Sequence, residues 1–452
     1  MIGSNEAGVL PLAADVDVLV VGGGPAGVAA ALAAARNGVS VLIVEQFNCL
    51  GGVAGAGGHG HISIYSAWES RIRVTGGISY EIGRRLVEEK AGRMNHHGVW
   101  FEVEKYKFLL ERMMSEAGVK LLYHTFFCEA VMEQGAVVGA IIQNKSGRQF
   151  IRARRIVDCT GDGDVAASAG APYVQGREND GKCQPVTLMF TIGGVDWPKV
   201  ESWRTDYAMR NVWEEAQRNG DMEPFQFTIM GFWWTPTRPD QVGVNFTHII
   251  GIDSTRAEDL TRATLEGRRQ AFQTIDVFRK YVPGMEACYM VSTPNTVGLR
   301  ESRRIVGDVV LTEHDMKARR TWVDSIGHGS FYIDIHHIDG PGMDSTVWRP
   351  EKGFRYQIPY RVLIPKSAGN LLVAGRCVSV THVALGSIRV MVQCGVMGEA
   401  AGAAAALSLR AGVAPQDLDL SSLQAELRAH GGILEEDDIT RVNAGKAWFW
   451  EA

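Results

Sequence analysis

Hydrophobic and polar positions follow a clear order in residues 16–45. Residues 17–21 form a short run rich in valine, as expected for a parallel strand buried on both faces. A glycine-rich turn follows, and the alanine-rich residues 26–37 predict a helix. Residues 40–44 are again apolar and predict a second strand, which ends at Glu45. This stretch therefore predicts the strand–turn–helix–strand unit of a Rossmann-like α/β fold.

Similar periodicity continues along the next hundred residues. It predicts two amphipathic helices, at residues 77–90 and 102–117. It also predicts a three-stranded antiparallel meander, at residues 127–132, 137–143 and 149–153. The apolar run at residues 154–159 predicts another strand, which we expect to return to the parallel sheet. Later in the chain, residues 370–374 predict one more buried strand, and residues 388–407 predict a long helix rich in alanine and glycine.

Residues 186–360 have a different character. Tryptophan and phenylalanine are frequent there, and short strand-like runs alternate with helix-like runs such as residues 259–281. This pattern indicates a second, mixed α+β domain. We expect its aromatic side chains to form a core, with a stacking surface for a ring or a sugar as the alternative.

Length and composition limit the class of protein. The 452 residues are enough for two or three domains, and 46% hydrophobic with 21% charged residues is normal for a globular protein. A net charge of -5 gives no reason to expect nucleic acid or an anionic membrane as partner. The seven dispersed cysteines form no C-x-x-C pair, which argues against a zinc or iron–sulfur site and for reduced thiols in the cytoplasm. We predict no signal peptide and no membrane span.

The glycine turn of the first unit has the spacing of a dinucleotide-binding turn. Gly22 permits the tight turn, Gly24 lets the backbone approach a pyrophosphate, and Gly27 lets the helix lie close to the sheet. The N-terminus of the helix presents free N–H groups to the phosphates. Glu45 lies where a carboxylate accepts hydrogen bonds from a ribose. An ordinary glycine-rich turn is the alternative.

Four other stretches are predicted to face the same ligand. Residues 51–60 are so rich in glycine that their backbone can run against a flat ring. Residues 160–162 and 375–376 follow two predicted strands, where parallel sheets bind ligands. Residues 385–387 are expected to form the N-terminus of the long helix, with its positive dipole end. The alternatives are a flexible loop for the first stretch and a plain turn with a helix cap for the second.

Four features together resemble a known group of flavoproteins: the GGGPAG turn with Glu45, the LGGVAGAGGHG loop, the TGDGD turn, and the segment NLLVAGRCVSVTHVALGSIRVMVQCGVMGEAAG. They resemble the FAD-dependent oxidoreductases of the glutathione-reductase-like group with a two-dinucleotide-binding fold. The resemblance implies an FAD-binding domain formed by residues 15–185 and 359–412. Residues 186–358 would form an inserted α+β substrate domain, and residues 413–452 a C-terminal helical appendage with one helix.

The resemblance also implies where FAD lies. The ADP phosphates would lie on residues 22–27, the adenine beside the strand that contains Cys128, and the flavin between the 51–60 loop and the start of the long helix. One departure is Arg376, because many relatives have aspartate after this glycine. The residues expected to bind FAD are Gly22, Gly24, Pro25, Ala26, Gly27, Glu45, Gln46, Gly51, Gly52, Cys128, Thr160, Gly161, Asp162, Gly375, Arg376, Leu385, Gly386 and Ser387.

The first functional hypothesis is a dehydrogenase or oxidase that moves a hydride between a small polar organic substrate and FAD. Hydride removal beside oxygen or nitrogen needs a base, and His59, His61 and His382 are the candidates near the flavin. Arg300 and Arg303 are candidates for holding an anionic or polar substrate group, because a guanidinium binds carboxylate in a bidentate way.

Two alternatives remain open at the level of sequence. A flavin-dependent monooxygenase or halogenase is one, since residues 232–236 are faintly similar to a halogenase tryptophan motif with different spacing. A flavin-binding protein without turnover is the other. The sequence chooses neither the substrate nor the electron acceptor, and a homo-oligomer is left open.

Overall fold

The computed structural model describes residues 9–225, 231–445 and Trp448. The strands are β1 (Leu12–Val21), β2 (Val41–Val44), β3 (His61–Ser63), β4 (Gly92–Asn95), β5 (Gly98–Phe101), β6 (Lys120–Leu122), β7 (Phe126–Glu133), β8 (Ala136–Asn144), β9 (Gly147–Asp158), β10 (Tyr173–Gln175), β11 (Phe190–Gly193), β12 (Gly231–Thr235), β13 (Arg238–Asn245), β14 (Tyr289–Ser292), β15 (Arg303–Ile305), β16 (Ser325–Gly329), β17 (Tyr356–Pro359) and β18 (Leu371–Val373).

The helices alternate with these strands in the first part of the chain and dominate its end. They are α1 (Pro25–Arg36), α2 (Gly77–Glu88), α3 (Val103–Glu116), α4 (Asp164–Ser168), α5 (Trp197–Trp203), α6 (Asp206–Arg218), α7 (Ala257–Tyr281), α8 (Glu313–Lys317), α9 (His382–Ile388), α10 (Met391–Ala411), α11 (Leu420–Ala429) and α12 (Glu436–Asn443). Two short 3-10 helices span Tyr360–Leu363 and Pro415–Asp417.

A seven-stranded sheet forms the larger part of the molecule. Its order is β6-β2-β1-β9-β8-β7, and β18 also pairs with β9. Strands β6, β2, β1, β9 and β18 run parallel, whereas β7, β8 and β9 form the antiparallel meander. The predicted Rossmann-like unit and its meander crossover are therefore confirmed.

The third meander strand and the returning parallel strand are one continuous element. We expected separate strands at residues 149–153 and 154–159, but β9 covers both. One edge of β9 pairs with β1 from Phe150 to Asp158, while its other edge pairs first with β8 and then with β18. A single strand thus serves both the meander and the parallel sheet, because its partner on one side changes midway.

The second domain has its own sheet and core. Its antiparallel order is β12-β13-β11-β14, and the buried residues of its core run from Val186 to Val297. Trp213 stacks on Phe246 with ring centroids 4.1 Å apart, and both side chains are fully buried. These aromatic residues therefore belong to the core, as expected, and the mixed α+β domain is present.

Two predicted domain limits differ from the observed packing. Residues 305–358 were assigned to the second domain, but apolar side chains such as Leu311 and Ile358 pack in the core of the main sheet. Residues 413–452 were expected to be an appendage with one helix, but their described part contains two α-helices, and Leu423 joins the same main core. Apolar burial therefore ties both segments to the first domain.

Helix α10 is the central helix of the main core and packs directly on α1. A Cβ atom added at Gly398 or Gly402 would lie 2.0 Å from a carbonyl oxygen of α1, so glycine permits this close approach. By length and composition α10 is apolar enough to cross a membrane, the only such helix in the described residues, but 89% of its apolar window is buried in the protein. Its apolar surface is thus used in the core.

Candidate functional site

The turn between β1 and α1 leaves open space at the position expected for a pyrophosphate. Gly24 has φ -68°, and a Cβ atom there would meet no described heavy atom within 4 Å. At Gly27, by contrast, an added Cβ would lie 1.8 Å from the carbonyl oxygen of Gly22. Helix α1 also has no side-chain cap at its N-terminus. The turn therefore offers uncapped N–H groups and an open face to an anion.

Glu45 lies at the end of β2, beside this turn. Its carboxylate is buried and accepts hydrogen bonds from the backbone N–H groups of Gly23 at 2.6 Å and Phe47 at 2.9 Å. Burial raises the pKa of Glu45 above its usual value, against the effect of these hydrogen bonds. The next residue, Gln46, is exposed. Glu45 is thus placed against the glycine turn, as a ribose-binding carboxylate would be.

The strand expected beside the adenine begins close to Glu45. The backbone N–H of Thr125 donates to the carbonyl oxygen of Glu45 at 3.0 Å, and β7 starts at the following residue. Cys128 is exposed and lies at a β-bulge, because the register of β7 against β8 shifts between Phe127 and Glu129. The backbone at Cys128 is therefore outside the regular ladder.

The second glycine-rich stretch packs against the first. The N–H of Gly51 donates to the carbonyl oxygen of Gly23 at 2.8 Å, and a Cβ added at Gly52 would lie 3.0 Å from the Cα of Gly24. Two stretches that are separate in the sequence thus form one surface almost without side chains. A flat or extended ligand fits such a surface.

The carboxyl ends of β9 and β18 form the other side of the candidate cofactor site. The Thr160 hydroxyl donates to Asp158 at 2.7 Å and shapes the turn that contains Gly161. Arg376 donates to Asp162 at 2.9 Å and to the Ser302 hydroxyl at 2.9 Å. The arginine that departs from the expected pattern is therefore ion-paired with another residue of the predicted site.

Residues 385–387 are not a helix N-terminus. They lie in the last turns of α9, whose N-cap is Thr381, and α10 starts only at Met391. The N–H of Leu385 already donates to the carbonyl oxygen of Thr381 at 3.0 Å, and the Ser387 hydroxyl donates to Phe331 at 2.6 Å. A Cβ at Gly386 would lie 3.1 Å from the backbone of residue 334. The free N–H groups that we expected here are therefore taken up within α9.

The bare glycine surface, the uncapped end of α1 and the buried carboxylate of Glu45 together fit an FAD molecule. The family model described as "FAD dependent oxidoreductase" matches residues 17–427. The chain belongs to this family. The prediction of FAD as cofactor and of an oxidoreductase is thereby confirmed.

The curated relatives match only part of this chain. The chain is 31% identical over 165 residues to thiamine thiazole synthase of Methanococcus aeolicus, covering 34% of this chain and 58% of that protein. It is 35% identical over 169 residues to digeranylgeranylglycerophospholipid reductase 1 of Methanopyrus kandleri, covering 34% of this chain and 42% of that protein. The chain thus spans about half the length of the curated relatives it matches.

Among solved structures, a geranylgeranyl bacteriochlorophyll reductase-like protein from Thermoplasma acidophilum matches with 15% identity and a TM-score of 0.44. The match covers 96% of each chain.

The two histidines of the glycine loop lie together beneath the second domain. His59 stacks on Trp233 at a centroid distance of 4.3 Å, and its ring lies 6.2 Å from that of His61. Burial, with smaller effects of His61 and Arg300, lowers the pKa of His59 to about 3. Burial likewise lowers the pKa of His61 to about 4. Both imidazoles are neutral at physiological pH and are weak bases.

His382 differs from these two because a carboxylate orients it. It is buried at the start of α9, and its Nδ1 lies 2.8 Å from Oε1 of Glu301. Since a carboxylate only accepts, Nδ1 carries the proton and Nε2 holds the lone pair. Glu301 is itself buried and also accepts hydrogen bonds from Arg304 and the backbone N–H of Gln184. Among the three predicted candidates, His382 has the geometry of an oriented base.

The two predicted substrate arginines point to different places. Arg300 is 7% exposed, and its Nη1 donates to the carbonyl oxygen of Pro185 at 2.8 Å and to the Thr187 hydroxyl at 2.7 Å. Arg303 instead forms a salt bridge with Asp164 at 2.8 Å. Of these two candidates, Arg303 is already paired with a carboxylate of α4, whereas the hydrogen bonds of the Arg300 side chain go to uncharged oxygens.

A set of polar residues that the sequence analysis did not bring together surrounds Arg300. We call it the buried basic cluster, and it consists of Gln184, His248, Arg300, Asp334, His336 and Arg389. Arg389 donates to Asp334 at 3.3 Å and to Gln184 at 3.4 Å, and the rings of His248 and His336 are 5.8 Å apart. His328 lies outside the cluster, with its Nδ1 3.1 Å from the carbonyl oxygen of Ile433.

The cluster contains an unusual number of polar atoms without a partner. Among the described residues, these buried atoms have no hydrogen-bond partner: Gln184 Nε2, His248 Nδ1, His336 Nδ1 and Arg389 Nε. Buried polar groups are normally paired, so these atoms are available to form hydrogen bonds with a ligand. The cluster joins loops of the second domain to the segment before α10, and through Gln184 it also reaches Glu301 and His382.

Proposed function

We propose that the protein is an FAD-dependent dehydrogenase or oxidase that removes a hydride from a small polar organic substrate. The observation that carries this proposal is the buried basic cluster, with its unpaired donors and acceptors next to the glycine loop and His382. Membership of the glutathione-reductase-like group and a cytoplasmic location belong to the same proposal.

Each part of the site has a separate task in this proposal. The N-terminus of α1 and Gly24 would hold the pyrophosphate, and Glu45 would accept hydrogen bonds from the ribose. Bound FAD would supply the hydride acceptor. Nε2 of His382 would take the proton that leaves with substrate oxidation, while Glu301 keeps the imidazole in the required tautomer and stabilises its charged form.

His59 and His61 remain candidates for the base, but their environment suits another role. Trp233 covers one face of His59, and no carboxylate of a described residue pairs with either ring. Their lowered pKa values disfavour the charged imidazolium that a base forms. We therefore assign them to shaping the wall of the site rather than to proton transfer.

The proposal is tested by adding candidate substrates to the holoprotein without oxygen. A panel of alcohols, sugars, amines and acids should contain compounds that bleach the flavin and leave a product two electrons more oxidised. Products that gain oxygen or a halogen atom, formed only with a reductant and oxygen, would favour a monooxygenase or halogenase instead. A flavin that no compound of the panel reduces would favour a protein without turnover.

A further inference from the structure

The charges of the buried basic cluster do not balance. It contains two guanidinium groups, those of Arg300 and Arg389, and one carboxylate, that of Asp334. Burial lowers the pKa of His248 to about 3 and that of His336 to about 4, so neither imidazole adds charge at neutral pH. One positive charge therefore has no counter-charge within the cluster, and a buried charge without a partner is costly.

The uncompensated charge is that of Arg300. Both hydrogen bonds of its guanidinium come from Nη1 and go to uncharged oxygens, so Nε and Nη2 donate to no described residue. Burial, followed by the charge of Arg389, lowers the pKa of Arg300 to about 10, and it still stays protonated at neutral pH. The nearby carboxylate of Glu301 is already bound by Arg304 and His382. A planar anion would complete the pairing of Arg300.

Arg300 requires an acceptor from the ligand, whereas His248 requires a hydrogen-bond donor. Its Nε2 lies 3.0 Å from the carbonyl oxygen of Gly340 and 3.2 Å from that of His337. Since a carbonyl only accepts, Nε2 carries the proton of the neutral ring, and Nδ1 presents a lone pair. This Nδ1 is buried and has no partner among the described residues. It would accept a hydrogen bond from an O–H or N–H group of a ligand.

We propose that the substrate of this site is an organic acid that carries a hydroxyl or amino group, with its carboxylate on Arg300 and Arg389 and its O–H or N–H donor on His248. The proposal rests on the proposed function, because it assigns the cluster to the substrate. Arg389 Nε and Gln184 Nε2 supply further unpaired donors for the carboxylate. Hydroxy acids and amino acids share this chemistry, and the experiment separates them.

The experiment measures binding to the oxidised holoprotein, so it does not depend on turnover. Lactate, alanine and propionate are each titrated against the flavin spectrum at fixed ionic strength, in parallel with their primary amides. We expect the carboxylates to bind about 10–100-fold more tightly than the amides, the scale of a hydrogen bond between charged groups. Lactate or alanine should also bind more tightly than propionate, and the better of the two identifies the donor.

Matched arginine variants locate the carboxylate. Arg300→Gln and Arg389→Gln should each reduce the preference for acid over amide about tenfold or more, with FAD content and circular dichroism unchanged. Arg303→Gln is the control and should retain the preference, because Asp164 binds Arg303 away from the cluster. Because Arg300 is buried, Arg300→Lys gives a second variant that keeps the charge.

The possible failures are distinguishable. Equal binding of acids and amides by the wild-type protein would overturn the inference, and so would loss of FAD instead of loss of carboxylate binding in the Arg300 variants. If neutral alcohols or amines reduce the flavin while carboxylates neither bind nor compete, the proposed function stands and the substrate class is wrong. If carboxylates bind as expected but no compound reduces the flavin, the binding site stands and the proposed oxidation is wrong.

Discussion

Replacement of Gly24 by alanine should separate cofactor binding from folding. The backbone of Gly24 has φ -68°, which alanine adopts readily, and its added Cβ meets no described atom within 4 Å. The substitution therefore costs the FAD-free protein at most about 1 kcal/mol, because a slightly poorer N-cap is offset by the smaller entropy of the unfolded chain. The new methyl group would instead occupy the space of the pyrophosphate.

The loss of FAD affinity follows from the hydrogen bonds that the phosphates would lose. Two charge-assisted hydrogen bonds of about 1.5 kcal/mol each amount to about 3 kcal/mol. That energy corresponds to an increase in Kd of about 150-fold. Gly24→Val should bind FAD even more weakly. Fluorescence titration of FAD into the apo-protein measures the affinity, and urea unfolding of the apo-protein measures stability.

Gly27→Ala is the matched control for this prediction. Its Cβ would lie 1.8 Å from the carbonyl oxygen of Gly22, so the helix must shift and the apo-protein should lose about 1–3 kcal/mol of stability. A Gly24→Ala variant that binds FAD within tenfold of the wild-type protein would refute the reasoning. The pyrophosphate would then lie away from Gly24.

Three further predictions concern single carboxylates and the base. Glu45→Ala should weaken FAD binding by about 1–3 kcal/mol in titrations of the apo-protein, and unchanged affinity would show that Glu45 serves the turn alone. His382→Ala should slow flavin reduction about 10²–10⁴-fold in stopped-flow experiments while FAD stays bound, whereas a loss below about tenfold would exclude it as the base. Burial raises the pKa of Glu399 in α10 to about 8 from 4.5, so the folded state keeps its proton after the unfolded chain has lost its own. The free energy of unfolding should therefore fall by up to about 1.4 kcal/mol per pH unit between these two pKa values. Urea unfolding from pH 5 to pH 8 measures this slope, and Glu399→Gln should remove it. A slope that is the same in the variant and the wild-type protein would show that Glu399 is ionised in the folded state.

Local sequence signals were sufficient for the cofactor end of the molecule. The glycine spacing after β1 and the carboxylate at the end of β2 lie within one short unit, so their geometry follows from local turn and strand rules. The division of β9 into two strands was wrong. No turn residue separates residues 153 and 154, so the local sequence is consistent with the single strand that is observed. The start of the long helix was misplaced because Thr381, a good N-cap residue, was not recognised as the start of α9.

The substrate end could not be predicted in the same way. Residues of the buried basic cluster come from positions as far apart as Gln184 and Arg389, and only tertiary packing brings them together. No sequence spacing links His248 to His336, although their rings are 5.8 Å apart. Arg300 and Arg303 illustrate the limit, since they are three residues apart yet bind different partners. Pairing of buried charges depends on the fold rather than on local pattern.

Anaerobic reduction of the bound flavin tests the central proposal most directly. The purified holoprotein is mixed without oxygen with hydroxy acids, amino acids and matched neutral compounds, and the flavin absorbance and the products are followed together. We predict that a hydroxy or amino acid bleaches the flavin and yields one equivalent of a product two electrons more oxidised per FAD. A flavin that stays oxidised with every compound, or a product that has gained oxygen or halogen, would contradict the proposal.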